Sequence, residues 1–142
     1  MKKVICTVFM VIFILSSIST CFADIGNNDI QQIEPRFVGT FLHMERLSIN
    51  SSGYATTTAR LEPKSEDSID EVKVTMTLKK IDGTLIRKKT YDAVWSQTYF
   101  EFQAADHKQL TDKGAYYLDV TYKCYKDGKL LETLTGSAAD TY

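Results

Sequence analysis

Residues 111–134, TDKGAYYLDVTYKCYKDGKLLETL, constrain this chain more than any other stretch. Tyr116, Leu118, Val120, Tyr122 and Cys124 alternate with Tyr117, Asp119, Thr121, Lys123 and Tyr125. Such period-two alternation is what a strand shows when one face is buried and the other is not. Asp127-Gly128 follows, and both residues tolerate the positive φ that a two-residue hairpin turn demands. With these two as the loop, Lys123 is expected opposite Glu132 and Cys124 opposite Leu131, the first pair being attractive. In that register Tyr117, Tyr125, Leu130 and Leu134 share an outer face with Thr121, a face more apolar than solvation requires. These four are the candidate binding face. A bulge in the last strand, or cover from upstream isoleucines, accounts for the same pattern, because a one-residue slip flips every side chain.

The remaining segments read as partners of this hairpin. Leu47-Ser48-Ile49 is a short first strand, and Asn50-Ser51-Ser52-Gly53 is a turn by composition. In residues 54–62, Ala55, Thr57, Ala59 and Leu61 alternate with Thr56, Thr58 and Arg60; the small inward residues suit close approach of two sheets. Residues 72–80 place Val72, Val74, Met76 and Leu78 on one side. Gly83 turns the chain into residues 85–90, and residues 97–103 form a further strand carrying Phe100 and Phe102. Residues 104–110 are expected to cross over. Two antiparallel layers are thereby expected to meet through Tyr116, Leu118, Val120, Val74, Met76 and Phe102.

The N-terminus has a different character. Lys2-Lys3, the apolar run 4–15 and the small or polar residues 16–23 have the form of a secretory signal peptide cut after Ala23. The alternative is a lipoprotein anchored through Cys21. The expected organisation is a signal peptide at 1–23, a flexible leader at 24–35 and a β domain at 36–142. Loss of Lys2 and Lys3 moves the formal charge from −1 to −3. A mildly acidic domain lacks the basic footprint of a nucleic-acid binder. No later stretch is long and apolar enough to span a bilayer as a helix. Cys6 and Cys21 would leave with the signal, so Cys124 is a small buried side chain, the half of an intermolecular bridge or a reactive thiol.

Several residues bear on function. The loop 63–71 and the adjacent Glu62 are acidic, but without the alternating ladder that converges oxygens on calcium. Arg87-Lys88-Lys89 is either a patch for anionic polymers such as teichoic acid or sulfated glycans, or a set of charges blunting an exposed edge. Trp95 is a core or rim plug, or a platform for a sugar ring. His43 and His107, with Cys124, are a thin ligand supply for zinc.

Asp112, Gly114 and Tyr116 resemble the Asp-x-Gly-x-Tyr pattern of immunoglobulin-like and fibronectin-type sandwiches, with Leu118 where antibody domains place their second cysteine. That resemblance implies an all-β, two-sheet antiparallel sandwich of about seven strands and a corner tyrosine at 116. Pro35-Arg36, Leu47-Ser48-Ile49, Ser52-Gly53-Tyr54-Ala55, Val72-Lys73-Val74, Leu78-Lys79-Lys80, Gly83, Trp95 and Gly114-Ala115-Tyr116-Tyr117 together resemble a family of small secreted Gram-positive proteins of unknown function. This implies secretion and a β domain and supplies no site residues. The expected function is non-catalytic binding of an extracellular or envelope partner, without cofactor or metal. A self-assembling envelope subunit is the alternative. No nucleophile sits in a recognisable catalytic setting.

Overall fold

The computed structural model describes residues 38–142; the segments expected to be a signal peptide and a leader, with Cys6 and Cys21, lie outside the described residues. Eight strands run in chain order: β1 (Thr40–Ile49), β2 (Tyr54–Pro63), β3 (Glu71–Lys80), β4 (Leu85–Asp92), β5 (Val94–Ser96), β6 (Glu101–Gln109), β7 (Ala115–Lys126) and β8 (Lys129–Thr141). They form two antiparallel four-stranded sheets, ordered β1-β2-β6-β5 and β4-β3-β7-β8. This is the immunoglobulin-like arrangement of an A-B-E-D sheet facing a C′-C-F-G sheet. The expected sandwich is present, with eight strands instead of about seven, because the three-residue β5 is a strand of its own.

The inward positions behave as their alternation requires. Val74, Met76, Tyr116, Leu118 and Val120 from one sheet meet Phe102 from the other, all buried in one core with Leu61, Val72, Leu78 and Tyr122. Ala55 and Ala59 are fully buried on β2, where a small side chain lets the sheets close. Thr57 is buried among them and satisfies its hydroxyl on the Asp106 carbonyl and Met76 Sδ. Tyr116 Oη donates to the Asp112 carbonyl at 2.6 Å, forming the tyrosine corner expected from the Asp-x-Gly-x-Tyr pattern.

Three expectations require correction. First, β1 spans ten residues and not three. Its pattern is inverted: Phe41, Leu42 and Met44 are exposed while His43 and Glu45 are partly buried, so apolar periodicity points the wrong way. Second, residues 104–109 do not cross over; they continue β6, pairing Ala104 with Ala59 and Gln109 with Tyr54. Phe100 belongs to the preceding turn, at a φ of 54°. Third, the β7–β8 register slips. The turn is as expected, with Asp127 and Gly128 both at positive φ and Lys126 opposite Lys129. Beyond Tyr125↔Leu130 the partner of Cys124 is Glu132, which leaves Leu131 as the extra residue of a β-bulge. Lys123 then faces Thr133 instead of Glu132.

That single slip rearranges one side of the molecule. Glu132 now sits on the inner side, where its carboxylate accepts from the Val38 and Gly39 amides and from Thr40 Oγ1 (2.8, 3.2 and 2.6 Å). Further along the seam, Glu45 reaches from β1 across Gly136 of β8 and accepts from Tyr122 Oη at 2.8 Å, with His43 Nδ1 at 2.8 Å from the same oxygen. At the far end the Asp140 carboxylate accepts from the Ile49 amide at 2.7 Å. Glu132 and Asp140 of the edge strand β8 thus fasten to β1 and the residues just before it, at the edge of the opposite sheet, while Glu45 ties β1 to β7, satisfying polar groups that a sandwich edge would otherwise leave unpaired.

Candidate functional site

The four candidate face residues do not form one patch. Leu134 is buried on the inner face opposite Tyr122, a direct consequence of the bulge. Leu130 is exposed beside the half-buried Tyr125 at the β7–β8 turn. Tyr117 is exposed eight residues back along β7, about 26 Å away at the usual strand rise. Between them lie Asp119, Thr121 and Lys123. The outer face of this sheet is hydroxyl-rich: Thr90, Thr75, Thr121 and Thr135 form one row across all four strands.

The basic run on β4 is also divided. Strand alternation turns Arg87 inward, where it forms a two-pronged ion pair with Asp106 of the facing sheet, and places Lys89 over the Tyr91 ring at 4.6 Å. Lys88 alone of the three shares the outer row with Thr77. β4 is an edge strand, as the charge-blunting reading expects. Burial raises the Asp106 pKa, but hydrogen bonding from Arg87 and its positive charge outweigh it and hold the carboxyl below its ordinary range.

The reactive side chains are used structurally. Cys124 is fully buried; burial, reinforced by the Glu132 charge, pushes its thiol up to about 11, away from the thiolate a nucleophile needs. Burial and the Glu45 acceptor likewise raise the Tyr122 phenol, so it remains a donor. His107 stacks on Tyr54 at 5.6 Å and lies 3.3 Å from Thr56 Oγ1. Trp95 packs edge-on against Phe102 at 5.1 Å as a rim plug. In the acidic loop, Asp70 binds Lys126 and accepts from the Asp127 amide, which fastens the β2–β3 loop to the β7–β8 turn and lowers its pKa. Among the described residues no three His, Cys, Asp or Glu side chains converge as a metal would require.

A concavity lies elsewhere, on the outer face of the β1–β2 hairpin. Register places Met44 opposite Arg60, Arg46 opposite Thr58 and Ser48 opposite Thr56. These six residues line a groove of about 370 Å³. The short Ser48, Thr56 and Thr58 make its floor, and the long Met44, Arg46 and Arg60 make its walls. Glu101, 3.5 Å from Arg60 Nη1 and itself held by Gln103 Nε2 at 2.6 Å, steadies one guanidinium. Arg46 has no ion-pair or hydrogen-bond partner among the described residues. The alternation of Thr56, Thr58 and Arg60 is visible in the sequence; the groove escapes it because its other wall stands on the inverted β1.

The chain matches no family model and no curated protein. Among the described residues no helix is long and apolar enough to cross a membrane.

Proposed function

We propose that this protein is a secreted, non-catalytic recognition domain that takes its ligand on an outer sheet face, the likeness to small secreted Gram-positive proteins being part of that reading. The observation that carries it is the groove between Met44, Arg46 and Arg60, a concavity of the size small ligands occupy, with donors and acceptors at its floor. The chemistry of the remaining polar groups supports it: Cys124 is shielded as a neutral thiol, and His43, Glu45 and Tyr122 are joined in a seam that ties β1 to β7. An extracytoplasmic setting is supported by the signal-like N-terminus.

Expression of the full chain in a bacterial host tests the location. A processed product beginning at Asp24 in the medium is expected; an acylated product beginning at Cys21 would place it on the membrane instead. For the binding role, amide shifts of the processed chain are followed by NMR against a panel of cell-surface polymers. Perturbation confined to Ser48, Thr56, Thr58 and their neighbours is expected. Turnover of a panel member would overturn the non-catalytic reading, and concentration-dependent assembly without ligand shifts would favour a structural subunit.

A further inference from the structure

We infer that the β1–β2 groove is a site for an anionic group carried on a polyhydroxylated chain: a carboxylate, sulfate or phosphodiester flanked by hydroxyls. The inference rests on the recognition reading above and names the chemistry of the ligand. Arg46 and Arg60 stand on adjacent antiparallel strands at diagonal positions, because Arg46 faces Thr58 and Arg60 is two residues further along β2. Diagonal neighbours of this kind are about 7–8 Å apart at their bases, within reach of two arginine side chains converging on one group. Guanidinium is a planar, permanently charged fork that matches carboxylate, sulfate and phosphate oxygens in pairs.

The two arginines are also differently prepared. Arg60 is oriented by Glu101 through one nitrogen, with its side chain half exposed. Arg46 is uncompensated among the described residues, so an incoming anion meets a net positive wall even though the domain as a whole is acidic. The other positive faces are not equivalent. On the facing sheet Lys73 is paired with Glu71 and Asp92, and Lys79 with Asp119, whereas Arg87 is spent on Asp106. Beneath the arginines the Ser48, Thr56 and Thr58 hydroxyls both donate and accept, which suits a chain bearing alcohols. Met44, more than half exposed, offers an apolar wall to its carbon face.

The test uses the processed chain and four probes: a heparin oligosaccharide for sulfate, an oligogalacturonate for carboxylate, a poly(glycerol phosphate) for phosphodiester, and dextran as the neutral chain. Binding is measured by calorimetry and by amide shifts at Ser48, Thr56 and Thr58. At least one charged probe is expected to bind in the groove, to weaken as salt is raised, and to lose about tenfold or more in Arg46→Gln and in Arg60→Gln. The charged probe that binds identifies the source of the anion. Lys88→Gln with Lys123→Gln serves as a control for diffuse attraction and is expected to change little. Equal groove binding by dextran would overturn the anionic inference while leaving the recognition reading in place. Charged-probe binding that survives both arginine variants, or that is lost in the lysine control, would overturn it as well. So would the absence of binding by all three charged probes. Melting curves followed by Trp95 fluorescence show that each variant is folded, since all four side chains are exposed.

Discussion

Gly136 and Glu45 provide the sharpest test of how the sandwich edge is sealed. A Cβ built on Gly136 falls well inside contact distance of the Glu45 carboxylate. Gly136 does not have the left-handed backbone that favours glycine, so the objection to alanine is steric alone. Glu45 is not free to step aside at no cost, because its side chain is only 10% exposed and holds Tyr122 Oη and His43 Nδ1 at 2.8 Å. Gly136→Ala must push that carboxylate off Tyr122, leaving the phenol only the 3.3 Å contact with the Met44 carbonyl. Loss of a hydrogen bond to a charged acceptor costs about 1.5–3 kcal/mol. The stiffer unfolded chain returns about 0.4–1 kcal/mol. A net destabilisation of about 1–2 kcal/mol is expected, a fall in Tm of roughly 5–15 °C for a domain of this size. In a Glu45→Ala background the same substitution meets empty space and is expected to be neutral or stabilising. Urea unfolding of the wild type, both single variants and the double variant yields the coupling, expected to exceed about 1 kcal/mol. Additivity within about 0.5 kcal/mol would refute the claim that these two residues share one space.

The register slip predicts that Leu134→Ala costs about 2–5 kcal/mol whereas Leu130→Ser, at an exposed position, stays within about 0.5 kcal/mol, as measured by denaturant midpoints. Cys124 is expected to be inert to a thiol reagent at pH 8 in the folded protein and to react on unfolding. Its folded pKa of about 11 lies above the unfolded value of about 8.5, so its contribution to stability is complete below that lower value and is lost as pH rises towards the upper one; Cys124→Ala is expected to flatten that alkaline slope. Asp106 runs the other way. Its carboxyl is depressed in the fold, so its stabilisation is present above an ordinary carboxyl pKa of about 3.9 and is lost as pH falls below it. Asp106→Asn is expected to lower stability at pH 7 and to reduce the loss on acidification.

The all-β class, the β7–β8 turn, the tyrosine corner and most of the core could be read from the chain alone. Each depends on a local rule: alternation on β2, β3 and β7, positive φ at Asp127-Gly128, and a hydroxyl returning to the backbone four residues before Tyr116. These rules hold before any partner is specified, because a strand with one buried face must place apolar groups at every second residue. Tertiary structure decided what no local rule governs. Strand β1 is held as a strand by its ladder to β2, although it points His43 and Glu45 inward, because Tyr122 and the gap at Gly136 accept them. Strand β6 continues through Asp106 because Arg87 arrives from the other sheet. The bulge at Leu131 arises where Glu132 is drawn inward to the Val38, Gly39 and Thr40 donors, and it moves Leu134 from the outer face to the core. The groove at Arg46 and Arg60 belongs with these, since it exists only once two strands lie side by side in one register. Periodicity records which side of a strand is dry; pairing between distant strands determines which polar groups are allowed there.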